Sequence, residues 1–187
     1  MAKLTITLGS NQSGTAGTPS GTLINALRLF ESESLHVISQ SSWYQSPAFP
    51  AGAGPDFVNA VVLAETAHSA FDVLAALHRI EARLGRVRLQ RWAARTCDLD
   101  LLDVDGLVVP DMATYKGWQE LPLDQQIQRA PDQLILPHPR IQDRAFVLVP
   151  LREIAPDWRH PVLNLTPAQM IAKLPQADID NVRMISA

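Results

Sequence analysis

Alternating apolar and polar residues mark the first strand of the chain. Leu4, Ile6 and Leu8 are separated by threonines, a period-2 pattern that places one face of a strand against a core. Residues 56–66 are apolar on both faces, which predicts a central strand. Residues 19–30 and 69–84 instead repeat apolar positions every three or four residues, and this spacing predicts helices.

Local signals set the ends of these helices. Thr18 followed by Pro19 suits a helix N-cap and first turn, and Ser69 with Asp72 resembles a capping box. Gly85 fits the position just after the second helix. One helix is therefore predicted to begin after Thr18, and a second to begin after Ser69 and end before Gly85.

The remaining chain completes a β-α-β-β-α-β order. Strands are predicted over 35–44 and 96–104, with a tight turn at Asp105-Gly106 and a return strand over 107–109. A partly helical stretch at 145–154, a short helix from Thr166 and an edge strand over 182–185 follow. This order predicts an α+β, ferredoxin-like split βαβ fold, an antiparallel sheet with helices packed on one face. We expect one domain over 1–187, with a long insertion at about 111–131 after the fourth and fifth strands.

Composition narrows the class of protein. The 187 residues are 47% hydrophobic and carry a net charge of −3, which argues against general binding to nucleic acid or membrane surfaces. The single cysteine, Cys97, permits no internal disulfide, so a reducing compartment is expected. Without a signal-like apolar block or an 18-residue apolar run, a cytoplasmic location is predicted.

An acid pair stands out in the strand predicted over 96–104. Asp98 and Asp100 alternate with Leu99 and Leu101, so both carboxylates project from one face of the sheet, opposite Cys97. Two adjacent like charges repel, and a bound cation relieves this. Oxygen ligands suit Mg2+, which completes its shell with phosphates and water.

Arginines cluster just before this pair. Residues 79–95 carry a net charge of +5 on an acidic protein, and guanidinium groups match phosphate oxygens. A metal-binding acid pair beside arginines indicates chemistry on a polyphosphate. A solvated basic helix face, followed by a strand with surface aspartates, explains these residues equally well.

Separate blocks of the chain carry a family resemblance. They are Gly9-Ser10-Asn11, Ser46-Pro47 with Asp56-Phe57-Val58-Asn59, Arg86-Val87-Arg88 through Trp92 to Asp100, and Leu136-Pro137-His138-Pro139-Arg140 continuing through Arg144-Ala145-Phe146 to Leu151. Together, and in this order, they resemble 6-hydroxymethyl-7,8-dihydropterin pyrophosphokinase over residues 4–157. The resemblance implies a ferredoxin-like enzyme that transfers pyrophosphate from ATP to the pterin hydroxymethyl group, releasing AMP, in folate synthesis.

The resemblance implies a nucleotide side built on charge. Asp98 and Asp100 match the metal-holding pair, for which two Mg2+ ions are expected, and Arg86 and Arg95 match the catalytic arginines at the triphosphate. Further ATP-binding positions are His78, Glu81, Arg88, Trp92, His138 and Arg144. The link Trp92-Ala93-Ala94 departs from the family, which commonly has Gly or Pro before the arginine.

The resemblance also implies a pterin side. Phe57 and Phe146 match two rings that stack on the pterin, and Asn59 can offer a donor and an acceptor to its edge. Ser46, Pro47 and Phe49 match residues that line the same pocket. Without the family pattern, the simpler prediction is that both rings belong to the hydrophobic core and that Asn59 forms hydrogen bonds with buried backbone groups.

Two other functions are compatible with parts of the sequence. A ferredoxin-like nucleic-acid or regulatory module would need paired strand aromatics that this chain lacks. A Mg2+-dependent nucleotide hydrolase would use the same acids and turn over ATP without pterin. The expected partners are thus the small molecules ATP and hydroxymethyl-dihydropterin. The sequence does not fix the oligomeric state, and a monomer is compatible with it.

Overall fold

An antiparallel sheet forms the centre of the fold. The computed structural model describes residues 1–14, 17–48, 54–86, 95–122, 125 and 128–186. The described strands are β1 (Ala2–Ser10), β2 (His36–Gln40), β3 (Trp43–Ser46), β4 (Phe57–Thr66), β5 (Asp98–Val104) and β6 (Arg183–Ile185). Their order is β5-β1-β4-β3-β6, with β2 also paired to β4, and every pairing is antiparallel. The split βαβ sheet and the final edge strand are confirmed.

Two predicted helices pack on one face of the sheet. They are α1 (Pro19–Ser32) and α2 (Ala70–Arg83). The Thr18 side chain accepts a hydrogen bond from the Gly21 N–H, and the Ser69 side chain accepts one from the Asp72 N–H. Their buried apolar residues share one core with those of β1 and β4. Capping and periodicity therefore located both helices correctly.

A second layer lies on the opposite face, so the expectation of helices on one face only was wrong. Its described helices include α4 (Ala145–Ile154) and α5 (Pro167–Ile171), which follow α3 (Met112–Gln119) and precede α6 (Gln176–Asp180). Leu102 of β5 packs with Val147, Leu148 and Met170 in a separate core, whereas Leu101 belongs to the first core. β5 therefore buries apolar side chains on both faces. A prediction with helices on one face of the sheet does not account for the second set.

The predicted strand over 35–44 is two strands, because the chain breaks at two serines. Ser41 accepts a hydrogen bond from the Val61 N–H through its hydroxyl, at 3.0 Å. The backbone N–H and the hydroxyl of Ser42 both donate to the Glu153 carboxylate of α4, as does the Tyr44 hydroxyl. Side chains thus replace strand partners at the break.

The turn at Asp105-Gly106 is confirmed, but the return strand over 107–109 was wrong. Asp105 and Gly106 have φ values of 49° and 73°, as a tight turn of this kind requires. The chain then leaves β5, and only Val109 forms an isolated bridge, with Leu136. Apolar residues after a tight turn favour a strand in the sequence pattern, but Leu107 is exposed and Val109 packs against the first core.

The predicted insertion is partly helical and anchored. α3 lies within 111–131, and Asp111 caps it by accepting a hydrogen bond from the Thr114 N–H at 2.9 Å. Tyr115 is fully buried, and its hydroxyl lies 3.3 Å from Nε2 of the buried His160. The first half of the insertion is therefore part of the packed structure. Among the described residues, no helix has the length and apolarity needed to cross a membrane.

The buried His160 makes stability depend on pH. Burial lowers the pKa of His160 to about 4, and its Nδ1 atom accepts hydrogen bonds from the N–H groups of Val162 and Leu163. Between about pH 6.5 and pH 4 the unfolded imidazole binds a proton and the folded one does not. This contribution to stability is present above pH 6.5 and is lost as the pH falls toward 4.

We expect a His160→Gln variant to lose less stability than the wild type over that pH range. The difference in the free energy of unfolding should reach on the order of 3 kcal/mol, measured by urea unfolding at several pH values. Tyr115→Phe, which removes the hydroxyl beside Nε2 but keeps the buried imidazole, is the control and should keep a pH dependence of the same sign as the wild type. Identical pH profiles for wild type and His160→Gln would contradict the assignment.

Candidate active site

Three adjacent strands place Asn59, Gly9 and Asp98 in one row across the sheet. Gly9 of β1 pairs with Asn59 of β4 on one side and with Asp98 of β5 on the other. Directly opposed residues of antiparallel strands point to the same face. A Cβ on Gly9 would lie 3.5 Å from Asn59 Oδ1, 3.7 Å from Phe57 Cδ1 and 4.0 Å from Asp98 Cβ. Gly9 thus separates the acid pair from the predicted pterin side, a role that the sequence reasoning missed.

The acid pair projects from one face of β5, as predicted. Asp98 and Asp100 share the face of Leu102, which packs in the second core, whereas Cys97 and Leu99 lie in the first core. Burial raises the pKa of the Cys97 thiol to about 12, so this thiol is protonated and takes no part in the site. The candidate site therefore opens on the face that carries α4.

Asp98 is ion-paired with two arginines. Its Oδ1 atom lies 2.7 Å from Nη1 of Arg86, and its Oδ2 atom contacts Nη1 of Arg95. Burial and the neighbouring charge of Asp100 raise the pKa of Asp98, while both arginines oppose this. The two predicted catalytic arginines thus converge on the predicted metal-binding carboxylate.

Glu81 connects α2 to this cluster. It is 2% exposed, its Oε1 atom accepts the Leu99 N–H at 2.8 Å, and the same atom contacts the Arg86 guanidinium. Burial by itself would lower the pKa of Arg86, but Asp98, Glu81 and Asp100 outweigh burial and raise it. The Arg86 N–H also donates to the Glu81 carbonyl, at 3.0 Å. Glu81 therefore fixes both Arg86 and the start of β5.

Arg144 and His138 complete the nucleotide side. Arg144, at the N-terminus of α4, has Nη1 3.3 Å from Asp100 Oδ2, and its guanidinium carbon lies 5.7 Å from the Phe146 ring centroid. The pKa of His138 is lowered well below its usual value by burial and by the Arg144 charge. Its Nδ1 atom accepts the Arg140 N–H at 3.1 Å, which leaves the proton of the neutral ring on Nε2 as a donor.

The predicted pterin residues meet at the start of β4. Ser46 pairs with Phe57, and Nδ2 of Asn59 donates to the Ser46 hydroxyl at 2.9 Å and to the Tyr44 carbonyl at 3.4 Å. Asn59 is 2% exposed, whereas both Phe57 and Phe146 are partly exposed. Asn59 thus does bond buried backbone, but its Oδ1 atom faces Gly9. Pro47 is exposed beside this group.

The binding roles of the predicted residues all stay predictions. His78 is exposed on α2, three residues before Glu81, and its contact with a nucleotide stays a prediction. Phe49, Arg88 and Trp92, with the unusual Ala93-Ala94 link, lie outside the described residues.

The donor set fits Mg2+ better than a transition metal. Within the described part of the chain, no three His, Cys, Asp or Glu side chains group around one metal position, so phosphates and water would supply the other ligands. The Oδ1 atom of Asp98 is buried and has no well-directed hydrogen bond there, despite the nearby Arg86. A carboxylate oxygen of this kind would suit a cation as a ligand.

Comparisons with known proteins point to one family. A family model described as 7,8-dihydro-6-hydroxymethylpterin-pyrophosphokinase matches residues 5–156. Proteins named 2-amino-4-hydroxy-6-hydroxymethyldihydropteridine pyrophosphokinase are similar over much of the chain. The Haemophilus influenzae protein is 35% identical over 90% of this chain and 88% of its own length, and the Methylorubrum extorquens protein 32% over 97% and 99%.

Other similar proteins are longer than this chain. The Synechocystis protein of the same name is 40% identical over 134 residues, which are 72% of this chain and 58% of that protein. The Plasmodium falciparum HPPK-DHPS wild type with SDX-DHP is 16% identical with a TM-score of 0.66, covering 100% of this chain and 48% of that one. The chain thus spans little more than half of one relative and about half of this solved structure, whose likeness shows the fold.

We expect Glu81→Ala to destabilise the fold strongly. The change leaves the buried Leu99 N–H without its acceptor and removes one of the carboxylates around Arg86, so the free energy of unfolding should fall by on the order of 3 kcal/mol. Urea unfolding at pH 7 measures this. Glu33→Ala breaks a Glu–Arg pair whose Arg79 is largely in water and should cost far less. Equal losses for both variants would contradict the buried role of Glu81.

Proposed function

Because the chain belongs to the 7,8-dihydro-6-hydroxymethylpterin-pyrophosphokinase family, we propose that it transfers a pyrophosphoryl group from ATP to the hydroxymethyl group of 6-hydroxymethyl-7,8-dihydropterin. The products are AMP and the pterin diphosphate, and the reaction serves folate biosynthesis. The observation that carries the proposal is the row Asn59–Gly9–Asp98, in which a buried amide and a carboxylate flank one glycine on three adjacent strands.

The reaction exchanges one phosphorus–oxygen bond for another. The hydroxymethyl oxygen forms a bond to the β-phosphorus of ATP, and the bond from that phosphorus to the oxygen shared with the α-phosphorus breaks. The hydroxyl proton is released to solvent, and AMP leaves with the bridging oxygen. Such transfers depend mainly on positioning and on stabilising negative charge spread over phosphate oxygens.

The acid pair and the arginines supply the charge side of this chemistry. We assign Asp98 and Asp100 as protein ligands of two Mg2+ ions, which would neutralise the triphosphate and polarise its phosphoryl oxygens when bound. Because Arg86 and Arg95 contact Asp98 here, a cation on Asp98 would release both guanidinium groups to the phosphates. Each guanidinium stays charged at any relevant pH, so it can make this exchange without losing its proton.

The remaining assignments follow the two sides of the row. On the nucleotide side we assign His78, Glu81, Arg88, Trp92, His138 and Arg144. On the pterin side Phe57 and Phe146 stack on the ring, and Asn59 with Ser46 bonds its edge, while Pro47 and Phe49 line the pocket. A cytoplasmic location stays a prediction, as does the lack of nucleic-acid partners.

Product analysis tests the activity. The wild-type protein, mixed with ATP, Mg2+ and 6-hydroxymethyl-7,8-dihydropterin, should form AMP and pterin diphosphate in equal amounts, detected by chromatography. Leaving out the pterin or the Mg2+ should abolish AMP formation. ATP breakdown without pterin would indicate the Mg2+-dependent hydrolase instead, and ADP as the product would overturn the proposal.

Asp100→Asn should remove a metal ligand while the fold survives. We expect turnover to fall by about a hundredfold to a thousandfold, the usual loss for a charge contact made in the transition state. Steady-state kinetics at saturating Mg2+ measures the loss, and thermal unfolding checks the fold. Asp105→Asn is the control, since this exposed carboxylate lies in the turn beyond the other end of β5. Near-normal turnover in Asp100→Asn would rule out the metal assignment.

Gly9→Val should close the space between the two sides. A first added carbon lies at ordinary contact distances, so the strand should fold, but the two methyl groups beyond it enter the region where pterin and phosphate meet. We expect kcat/KM for the pterin to fall by about a hundredfold, because a small misplacement of the reacting atoms is costly. Gly9→Ala should be milder, and Thr7→Val, which puts the same side chain two residues away on the same strand, is the control. Unchanged kcat/KM in Gly9→Val would contradict this role.

A further inference from the structure

The insertion begins and ends close to His138. Val109 and Leu136 exchange two backbone hydrogen bonds, at 2.9 and 3.0 Å, and this pair closes the excursion that lies between them. Leu136 precedes His138 by two residues, and the His138 N–H donates to the Leu102 carbonyl of β5 at 2.7 Å. The base of the insertion is therefore fixed to the stretch of chain that carries a residue assigned to the nucleotide.

The helix of the insertion, α3, contacts the same stretch with its C-terminal end. Nη1 of Arg140 donates to the carbonyl of Gln119, the last residue of α3, at 3.2 Å. Nη2 of Arg140 lies 2.6 Å from Oδ2 of Asp143. A cation at the C-terminus of a helix also meets the negative end of the helix dipole. One guanidinium therefore joins the end of α3 to the turn 138–144.

The turn 138–144 has an assigned nucleotide-side residue at each end. The Arg140 N–H donates to Nδ1 of His138 at 3.1 Å, and this bond sets the tautomer, so that Nε2 carries the ring proton. At the other end, the Arg144 N–H donates to the Ile141 carbonyl at 3.3 Å. The backbone of Arg140 thus sets which nitrogen of His138 donates, while the side chain of Arg140 is held by α3.

Other contacts hold α3 in place without the help of Arg140. Tyr115 is fully buried, and its hydroxyl lies 3.3 Å from Nε2 of His160. At the start of the helix, the Asp111 carboxylate accepts hydrogen bonds from the N–H and the hydroxyl of Thr114, at 2.9 and 2.8 Å. Because α3 is fixed by its own core contact and cap, its C-terminal carbonyl is a fixed point for the Arg140 guanidinium.

We propose that Arg140 is a positioning residue for the nucleotide and that the insertion serves to hold it. The end of α3 fixes the Arg140 guanidinium, and the Arg140 backbone fixes the turn that presents His138 and Arg144. This inference rests on the proposed function, since it concerns the same nucleotide. Arg140 acts through His138 and Arg144, so its loss should change how well the nucleotide is bound and leave the pterin side alone.

Binding measurements test this role without turnover. The probe is an ATP analogue whose α- and β-phosphorus are joined by a methylene group, used with Mg2+ and measured by calorimetry. Arg140→Gln should raise the Kd of this analogue by about tenfold, the usual worth of one hydrogen bond to a charged group. The Kd of 6-hydroxymethyl-7,8-dihydropterin, measured at saturating analogue, should stay near the wild-type value. An unchanged Kd for the analogue, or equal losses for both ligands, would overturn the proposal.

Two matched variants separate the parts of the contact. Arg129→Gln makes the same change of charge within the insertion, where the guanidinium carbon lies 5.7 Å from the Trp118 ring centroid, and it should leave the Kd of the analogue unchanged. Asp143→Asn removes the ion pair within the turn but keeps the bond from Arg140 to the Gln119 carbonyl, so it should cost less than Arg140→Gln. An equal or larger cost in Asp143→Asn would overturn the role of the insertion, because the local pair would then explain the effect.

The tautomer of His138 is a readout that a general loss of stability does not move. In the folded wild type, NMR of isotope-labelled histidine should show His138 with its proton on Nε2, the signal being assigned by its loss in His138→Gln. Arg140→Gln should show both tautomers, because the Arg140 N–H no longer holds its place beside Nδ1. A single, unchanged tautomer alongside weaker binding of the analogue would overturn the route through His138.

A measurement on the wild type decides the matter if Arg140→Gln does not fold. Binding of the analogue should slow amide hydrogen exchange in the turn 138–144 and also at residues 117–120, the end of α3. Protection confined to the turn would overturn the role of the insertion while leaving the proposed function intact. Wild-type protein that binds no analogue would instead overturn the proposed function, and this inference with it.

Discussion

Compensation of buried negative charge at the start of β5 is the constraint on which the site depends. Three carboxylates and three guanidinium groups gather there, from α2, the loops before β5, β5 itself and α4, and these groups are Glu81, Asp98, Asp100, Arg86, Arg95 and Arg144. Removing any one charge from such a cluster leaves its partner poorly solvated. The cluster therefore ties four segments together, and it brings charges of both signs to one place on the sheet.

The strand order of the sheet places this cluster on one side of Gly9 and Asn59 on the other. Because β1 runs between β4 and β5, its last residues face an amide on one side and a carboxylate on the other. Gly9 leaves the space between them open, and Asn11 continues the same strand into contacts with both flanking loops. Residues near the rigid end of a central strand hold their positions better than residues on loops, which suits a reaction governed by alignment.

Local signals predicted local structure well and connections poorly. Thr18 and Ser69 located two helix starts because a cap acts within four residues. The return strand at 107–109 and the unbroken strand at 35–44 were wrong for a common reason. Both segments have strand-like composition, but Val109 finds its partner at Leu136, and Ser42 finds its partner in α4. Such partners lie too far along the chain for a pattern to specify.

The sequence by itself determined which groups the candidate site contains: an acid pair on one face of a strand, arginines before it, and motifs that match one family. Alternation in a strand is a property of the backbone, so Asp98 and Asp100 had to share a face wherever the strand lay. Only the tertiary structure decided that Arg86 and Arg95 converge on Asp98 and that Gly9 separates the two sides. Those relations depend on strand register and on packing between distant segments. Both arise only when the whole sheet has formed with a core packed on each face.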